Sequence, residues 1–394
     1  MDIRDLTADD LDAVLDNRKR AFGPLSGSDA ETWRQVVLPV LPTGRYIGAF
    51  DGPRLVATAR INAFTQWWHG RPMPMGGVAG VTVAPEDRGR GVGRALMQAV
   101  IERAADLGDA VSALYPATTP LYRGMGWEHV GGLTRVTLPT EALRALGAGA
   151  PGVKLRRMGP DDAPELIATI GRINAATRAS GPVCYDERLW RLWLAEDDDF
   201  CYIADDGFVI YRWSGGDIEV DSCLAESETT ARALWSLVGS ASSIAKSVTA
   251  VVEPDDPVLW LVRERSKDEI RQTRWMFRVI DLPAAVARRG FPSGVSLDTP
   301  IRVEDPQRPA NSGSWRLEVS SGEGAVTPIT GTPTTGTPAA EAGPAFGIGG
   351  LSALFAGVSM ATLRRTGLVS GGTAEDDEAL DAAFRCTAYM LDYF

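Results

Sequence analysis

A chain of 394 residues is long enough for a little under three domains of ordinary size, and its 44% apolar and 23% charged residues exclude wholesale disorder. Its formal net charge of -11 argues against non-specific nucleic-acid binding, which relies on a basic face, and suits cationic small molecules. No apolar run approaches the roughly 20 residues of a membrane span. Met1-Asp2-Ile3-Arg4-Asp5 also lacks the build of a signal peptide, so a cytoplasmic protein with no membrane partner is expected.

The first segment, to about residue 145, alternates strands and helices. Ile3 to Leu6 reads as a strand, and Thr7 with Asp9-Asp10 opens a helix. Arg45 to Phe50 and Leu55 to Ile61 flank the hairpin signal Asp51-Gly52-Pro53. Gly76 to Val83 is β-rich, and a Gly/Arg loop leads from it into a helix from about Arg94 to Leu107. Val111 to Tyr115 is the next strand, and Thr119-Pro120 opens a short helix that Gly124 ends.

A second segment begins with the strand-like Val153 to Met158 and a helix start at Gly159-Pro160-Asp161-Asp162. Hairpin strands follow at Phe200 to Ala204 and Phe208 to Trp213, then a strand from Asp217 to Leu224 and a helix near Glu228 to Ser240. This order echoes the first segment as a weak internal repeat. Beyond Ile280, Leu282 to Arg289 reads as helical, and the stretches around Ile301 and from Trp315 to Val319 as strands. Thr327 to Pro338 reads as a surface loop. Helices are expected over Ile348 to Arg365 and Glu375 to Arg385, before an apolar end at Tyr389 to Phe394. Chain ends are normally polar and frayed.

The four cysteines, Cys184, Cys201, Cys223 and Cys386, form no C-x-x-C pair and read as buried thiols of a reducing compartment. The two histidines, His69 and His129, lack partner motifs, so a mechanism without histidine and without a metal is expected.

Chemistry concentrates in Val81-Thr82-Val83-Ala84-Pro85-Glu86-Asp87-Arg88-Gly89-Arg90-Gly91-Val92-Gly93-Arg94. Its glycines let backbone approach a ligand, N–H groups at a helix start bind phosphate, and Arg88, Arg90 and Arg94 add charge complementary to a pyrophosphate. A Rossmann G-x-G-x-x-G would need glycine where Arg94 stands, and no G-K-[ST] follows for a P-loop. The spacing Arg88-x-x-Gly91-x-Gly93 does fit R-x-x-G-x-G, the coenzyme A pyrophosphate signature of the GNAT acetyltransferase superfamily, which the segment resembles. Leu121-Tyr122-Arg123-Gly124-Met125-Gly126-Trp127 is similar to the GNAT element whose tyrosine reaches the coenzyme A sulfur. A phenol of pKa about 10 can protonate the thiolate that amine attack expels; the alternative is a tyrosine that only packs beside Leu121 and Met125.

A GNAT domain, a second GNAT-like region without a phosphate loop and a C-terminal α+β domain together resemble the Eis (enhanced intracellular survival) family. In the second region Asp221 to Ser227 takes the loop's place without glycine or arginine. The resemblance implies an α+β fold of two tandem GNAT-like mixed-sheet domains, 1–150 and 151–285, followed by a sterol-carrier-protein-like domain, 286–394. It implies acetyl-CoA as cosubstrate and a primary amine of a cationic small molecule, such as an aminoglycoside or polyamine, as acceptor. It further implies Tyr122 as general acid and the terminal carboxylate of Phe394 as general base, delivered by a buried strand over Tyr389 to Phe394. A merely packed end is the alternative to that strand.

Cofactor contacts are implied at Val81, Thr82, Val83, Arg88, Gly89, Arg90, Gly91, Val92, Gly93 and Arg94, and at Ala117 and Thr118. Phe22 and Trp33 match aromatic positions of the acceptor pocket, or are core aromatics. A homohexamer is implied. Ala117-Thr118 stands where the family has a Ser-Glu pair, Gly80 replaces a bulky aromatic, and Tyr393 replaces an acidic residue. A roomier, locally less anionic pocket follows, which puts aminoglycoside binding in doubt. Competing readings are a GNAT enzyme acting on protein lysine or another amine, and a non-catalytic lipid-binding or interaction protein.

Overall fold

The computed structural model describes residues 1–149, 152–263, 269–329 and 343–394. The first unit runs β1 (Asp2–Asp5), α1 (Leu11–Phe22), α2 (Gly27–Val37), β2 (Tyr46–Asp51), β3 (Arg54–Trp68), β4 (Arg71–Val83), α3 (Val92–Asp106), β5 (Val111–Leu114), α4 (Thr119–Arg123), β6 (Glu128–Pro139) and α5 (Thr140–Arg144). The second runs β7 (Arg156–Arg157), α6 (Ala163–Ala176), β8 (Val183–Cys184), α7 (Glu187–Trp193), β9 (Asp199–Ala204), β10 (Gly207–Ser214), β11 (Asp217–Ala225), α8 (Glu228–Gly239), β12 (Ser247–Val252), α9 (Val258–Leu261) and β13 (Glu269–Val279). The third runs α10 (Leu282–Arg288), β14 (Leu297–Glu304), β15 (Gly313–Ser320), β16 (Glu323–Pro328), β17 (Pro344–Gly347), α11 (Ile348–Phe355), α12 (Met360–Arg365), β18 (Val369–Gly371) and α13 (Ala374–Phe384).

The first two units share one mixed sheet. Its path is β1-β2-β3-β4-β5-β13-β6-β12-β11-β10-β9-β7, with β8 paired to β3 off that path. The units exchange strands at the junction: β13 lies between β5 and β6, and β6 continues onto β12. The third unit is a separate sheet, β16-β15-β14-β17-β18, covered by helices. The fold is therefore α+β, with two tandem mixed-sheet units and a third α+β unit.

Local chemistry sets the elements that frame the site. Leu96, Met97, Val100, Ile101 and Ala104 give α3 an apolar stripe buried on the sheet. Proline in the first turn of α4 supplies a preset φ and lacks an N–H that would go unpaired there. Ser227 caps α8 by accepting from the Thr230 N–H two residues after β11 ends, so the second unit joins strand to helix with no glycine loop.

Several elements differ from the sequence reading. β3 and β4 extend to form a long hairpin arm whose turn holds His69 at φ 49°. The strand expected over 153–158 shrinks to Arg156–Arg157, whose pairing with β9 is short. The helix expected over 348–365 divides at Gly357, where φ is 87° and an added Cβ would stand 2.3 Å from the Cys386 carbonyl. Thr327 and Pro328 belong to β16, while 330–338 of the expected loop lies outside the described residues. Cys386 is half-buried, unlike the other three cysteines. The chain end is not a strand: only an isolated bridge ties Tyr389 to Gly132.

Candidate active site

β4 and β5 pair as parallel neighbours only from Met75 to Gly77, and then separate. The register with β3 continues to Val83, so beyond Gly77 one edge of β4 is open. The Ala84 N–H donates to Val56 on the β3 side at 2.8 Å. By strand alternation from Ala84, Val83 turns its N–H to the open edge, while buried Thr82 faces the opposite way and shares a 2.8 Å hydroxyl contact with Thr58; Val81 sits at a bulge, where Ala59 opposes both it and Gly80.

The Gly/Arg loop meets this edge. Gly89 and Gly91 have φ of 77° and 81°, conformations that side chains resist, and no atom lies within 4 Å of a Cβ built at either. Gly91 caps α3, whose first turn presents the unpaired N–H groups of Val92, Gly93 and Arg94. A pyrophosphate fits this array of amides and the positive end of a helix dipole. Arg88 and Arg94 are exposed beside it. Arg90, expected to contact the cofactor, is exposed and donates to Asp87 at 2.5 Å. Asp87 is buried and also binds Arg54 at 2.6 and 3.1 Å, and these hydrogen bonds hold its carboxyl below the usual range. Asp87 pins the loop from beneath, a role the sequence reading missed. Ala117 and Thr118 lie exposed between β5 and α4.

Tyr122 is buried on the α3 side of the sheet, among Val92, Leu96, Met125 and Trp127, with Val81 and Val83 against the same cluster. The carbonyl of Tyr122 accepts from the N–H groups of Met125 and Trp127, both at 3.0 Å, which fixes the turn after α4. Burial pushes its phenol up to about 12, so it stays protonated at neutral pH.

Phe394 lies on the opposite face of β4. Its ring meets Phe64 at 4.9 Å and Tyr115 at 5.7 Å. A Cβ on Gly77 would stand 2.4 Å from the Phe64 ring and 3.0 Å from the Phe394 ring. The tail is threaded by hydrogen bonds from the Tyr389 N–H to Ser180 at 3.0 Å and from the Met390 N–H to Gly132 at 3.2 Å. The Tyr115 hydroxyl donates to the Asp392 carbonyl at 2.9 Å. Gly131 admits the tail, since an added Cβ would meet the Ala388 carbonyl at 2.2 Å. Gly77, Gly131 and Tyr115 were not legible as site residues from sequence.

A cleft of about 470 Å³ adjoins the tail, with Tyr185, Trp190 and Trp193 beside Glu196, Asp198, Asp199, Asp221, Asp392 and Tyr393. Arg212 is held by Asp199 and Asp221, leaving more carboxylates than cations around the space. Enclosure raises the Asp392 carboxyl to about 7, partly offset by a hydrogen bond from Tyr185. Tyr393 is exposed beside these carboxylates. Phe22 is exposed at the end of α1, and Trp33 packs partly buried against the cluster that includes Tyr46. His69 lies at the hairpin turn, and His129 Nε2 sits 3.3 Å from the Thr119 hydroxyl.

The comparisons agree with this architecture. Residues 2–130 and 181–279 each match an acetyltransferase (GNAT) domain, and 282–391 match a sterol carrier protein domain. A GCN5-related N-acetyltransferase from Kribbella flavida is 44% identical and superposes with a TM-score of 0.94, covering 100% of this chain and 98% of that one. N-acetyltransferase Eis of Mycobacterium tuberculosis is 26% identical over 276 residues, which span 65% of this chain and 66% of that relative. An uncharacterized N-acetyltransferase of Streptomyces griseus is 26% identical over 86% of both chains. Eis1 of Mycobacterium abscessus shares the fold at a TM-score of 0.77 and 23% identity, with full coverage of both chains. The chain belongs to the GCN5-related (GNAT) N-acetyltransferases.

Proposed function

We propose that the protein transfers an acetyl group from acetyl-CoA to a primary amine of a cationic small molecule, within a class that includes polyamines and aminoglycosides. The observation that carries this reading is the open edge of β4, which joins an anion-ready helix start to a buried phenol. The amides of Gly89 to Arg94 hold the pyrophosphate, and the Val81 and Val83 N–H groups face the thioester. As the amine nitrogen bonds to the carbonyl carbon and the C–S bond breaks, these N–H groups stabilise the oxygen's charge. The leaving sulfur takes the Tyr122 proton, and the amine's proton passes to the Phe394 terminal carboxylate. The side chains of Val81, Val83 and Tyr122 lie on one face of β4 and Phe394 on the other, so donor and acceptor approach from opposite sides of one strand. The acidic cleft beside the tail favours a cationic acceptor.

Thiol release from acetyl-CoA over a panel of polyamines, aminoglycosides and lysine peptides tests the reading. Turnover confined to the peptides would replace the small-molecule acceptor with protein lysine. Absence of both turnover and coenzyme A binding would remove the enzyme reading. A few residues added after Phe394 should abolish turnover and spare coenzyme A binding; full activity would remove the carboxylate base. We also propose the family's homohexameric assembly, to be checked by light scattering of the purified protein.

A further inference from the structure

The face of β3 and β4 that carries Phe394 also carries a cation without a partner. Arg60 on β3 stands opposite Tyr46 on β2 and Ala79 on β4. Phe64, four residues along β3, and Gly77, two residues before Ala79, share that face by alternation, and both touch the Phe394 ring. Two residues of strand span about 7 Å. The strand position of Arg60 and the position against which the Phe394 ring packs are therefore separated by the length of a small molecule.

The arginines nearby are differently placed. Arg45 binds Asp109 at 2.8 Å, and Arg54 binds Asp87 at 2.6 Å. Arg60 forms no ion pair among the described residues, and its Nε is buried without an acceptor. Burial pulls its guanidinium below the usual arginine value, opposed only by Tyr46. A second cation, Arg18 of α1, also acts on the Tyr46 hydroxyl. Next to Arg18, Asn17 is 3% exposed, and both its amide atoms lack partners. An arginine half-buried with its Nε enclosed and no carboxylate beside it is costly, and a carboxylate is its best bidentate partner.

We infer that Arg60, supported by Tyr46 and Arg18, is a carboxylate subsite, and that the acceptor is a zwitterion whose amine reaches Phe394 while its carboxylate pairs with Arg60. The inference rests on the acetyl-transfer reading and narrows its substrate class to cationic amino acids. The acidic cleft beyond the tail suits a remaining ammonium group.

The test compares L-lysine with cadaverine, which differ only by the carboxylate, in the full-length protein. Lysine should be favoured at least about tenfold in kcat/KM. Arg60→Gln should raise KM for lysine about tenfold or more with kcat held, leave cadaverine unchanged and not lower Tm, since no native ion pair is lost. Arg60→Lys should restore part of the preference. Cadaverine turned over as well as lysine, or an Arg60→Gln variant with its preference intact, overturns the inference and leaves acetyl transfer standing. Activity that depends on Arg60 only when succinyl-CoA replaces acetyl-CoA assigns the carboxylate to the donor and overturns the inference equally. No turnover with any amine of the panel sinks both readings.

Discussion

Gly77→Ala is a sharp probe of the tail's role, because one methyl group enters a space already filled by two rings. The added Cβ would lie 2.4 and 2.6 Å from atoms of the Phe64 ring and 3.0 Å from the Phe394 ring. Carbon atoms settle near 3.5–4.0 Å, so the Phe64 ring must retreat by roughly 1 Å and carry the Phe394 ring with it. Overpacking of this kind costs about 1–3 kcal/mol. The Phe394 ring is the easier element to move, since it is half-buried at the chain end, whereas Phe64 is buried in a paired strand. A displacement of about 1 Å at a reacting group costs on the order of 100-fold in rate. Steady-state thiol release should therefore show kcat falling by about that factor, with coenzyme A affinity unchanged and the thermal transition lowered only modestly. A variant that folds, binds coenzyme A and keeps full kcat would refute the placement of the base at Phe394.

Tyr122→Phe removes the proton donor and keeps the ring's packing; kcat should fall by about 100-fold or more, with coenzyme A binding unchanged by calorimetry. Asp305→Ala would strand Arg278, since the pair is fully buried at 2.8 Å, and chemical denaturation should register a loss of about 3–5 kcal/mol. Asp256 is buried and its carboxyl is raised from 3.8 to about 7 by burial. Between those values the folded protein keeps a proton that the unfolded chain has lost, so stability should fall as pH rises from about 4 to 7 and level off above. One pKa unit is about 1.4 kcal/mol, which bounds that effect at roughly 4 kcal/mol. Asp256→Asn should flatten the slope in pH-dependent denaturation.

Much of the first unit was legible because its signals are local. The R-x-x-G-x-G spacing, the Pro and Gly flanking α4 and the apolar stripe of α3 each fix a short stretch of backbone by their own stereochemistry. What sequence concealed was set by distant partners. Arg90 carries the same charge as Arg88, and only the position of Asp87 and Arg54 shows that it braces the loop. Gly77 reads as an ordinary strand glycine until Phe394 arrives from 317 positions away.

The placement of β13 between β5 and β6 also has a consequence for biogenesis. While the ribosome is still making the second unit, the first has two strand edges with nothing between them, and the chain must wait more than a hundred residues for the strand that fills the gap. Such edges invite pairing with other nascent chains. Expression as separated halves should therefore favour aggregation over complementation, and recombination between family members should tolerate crossovers only where both exchanged strands travel together.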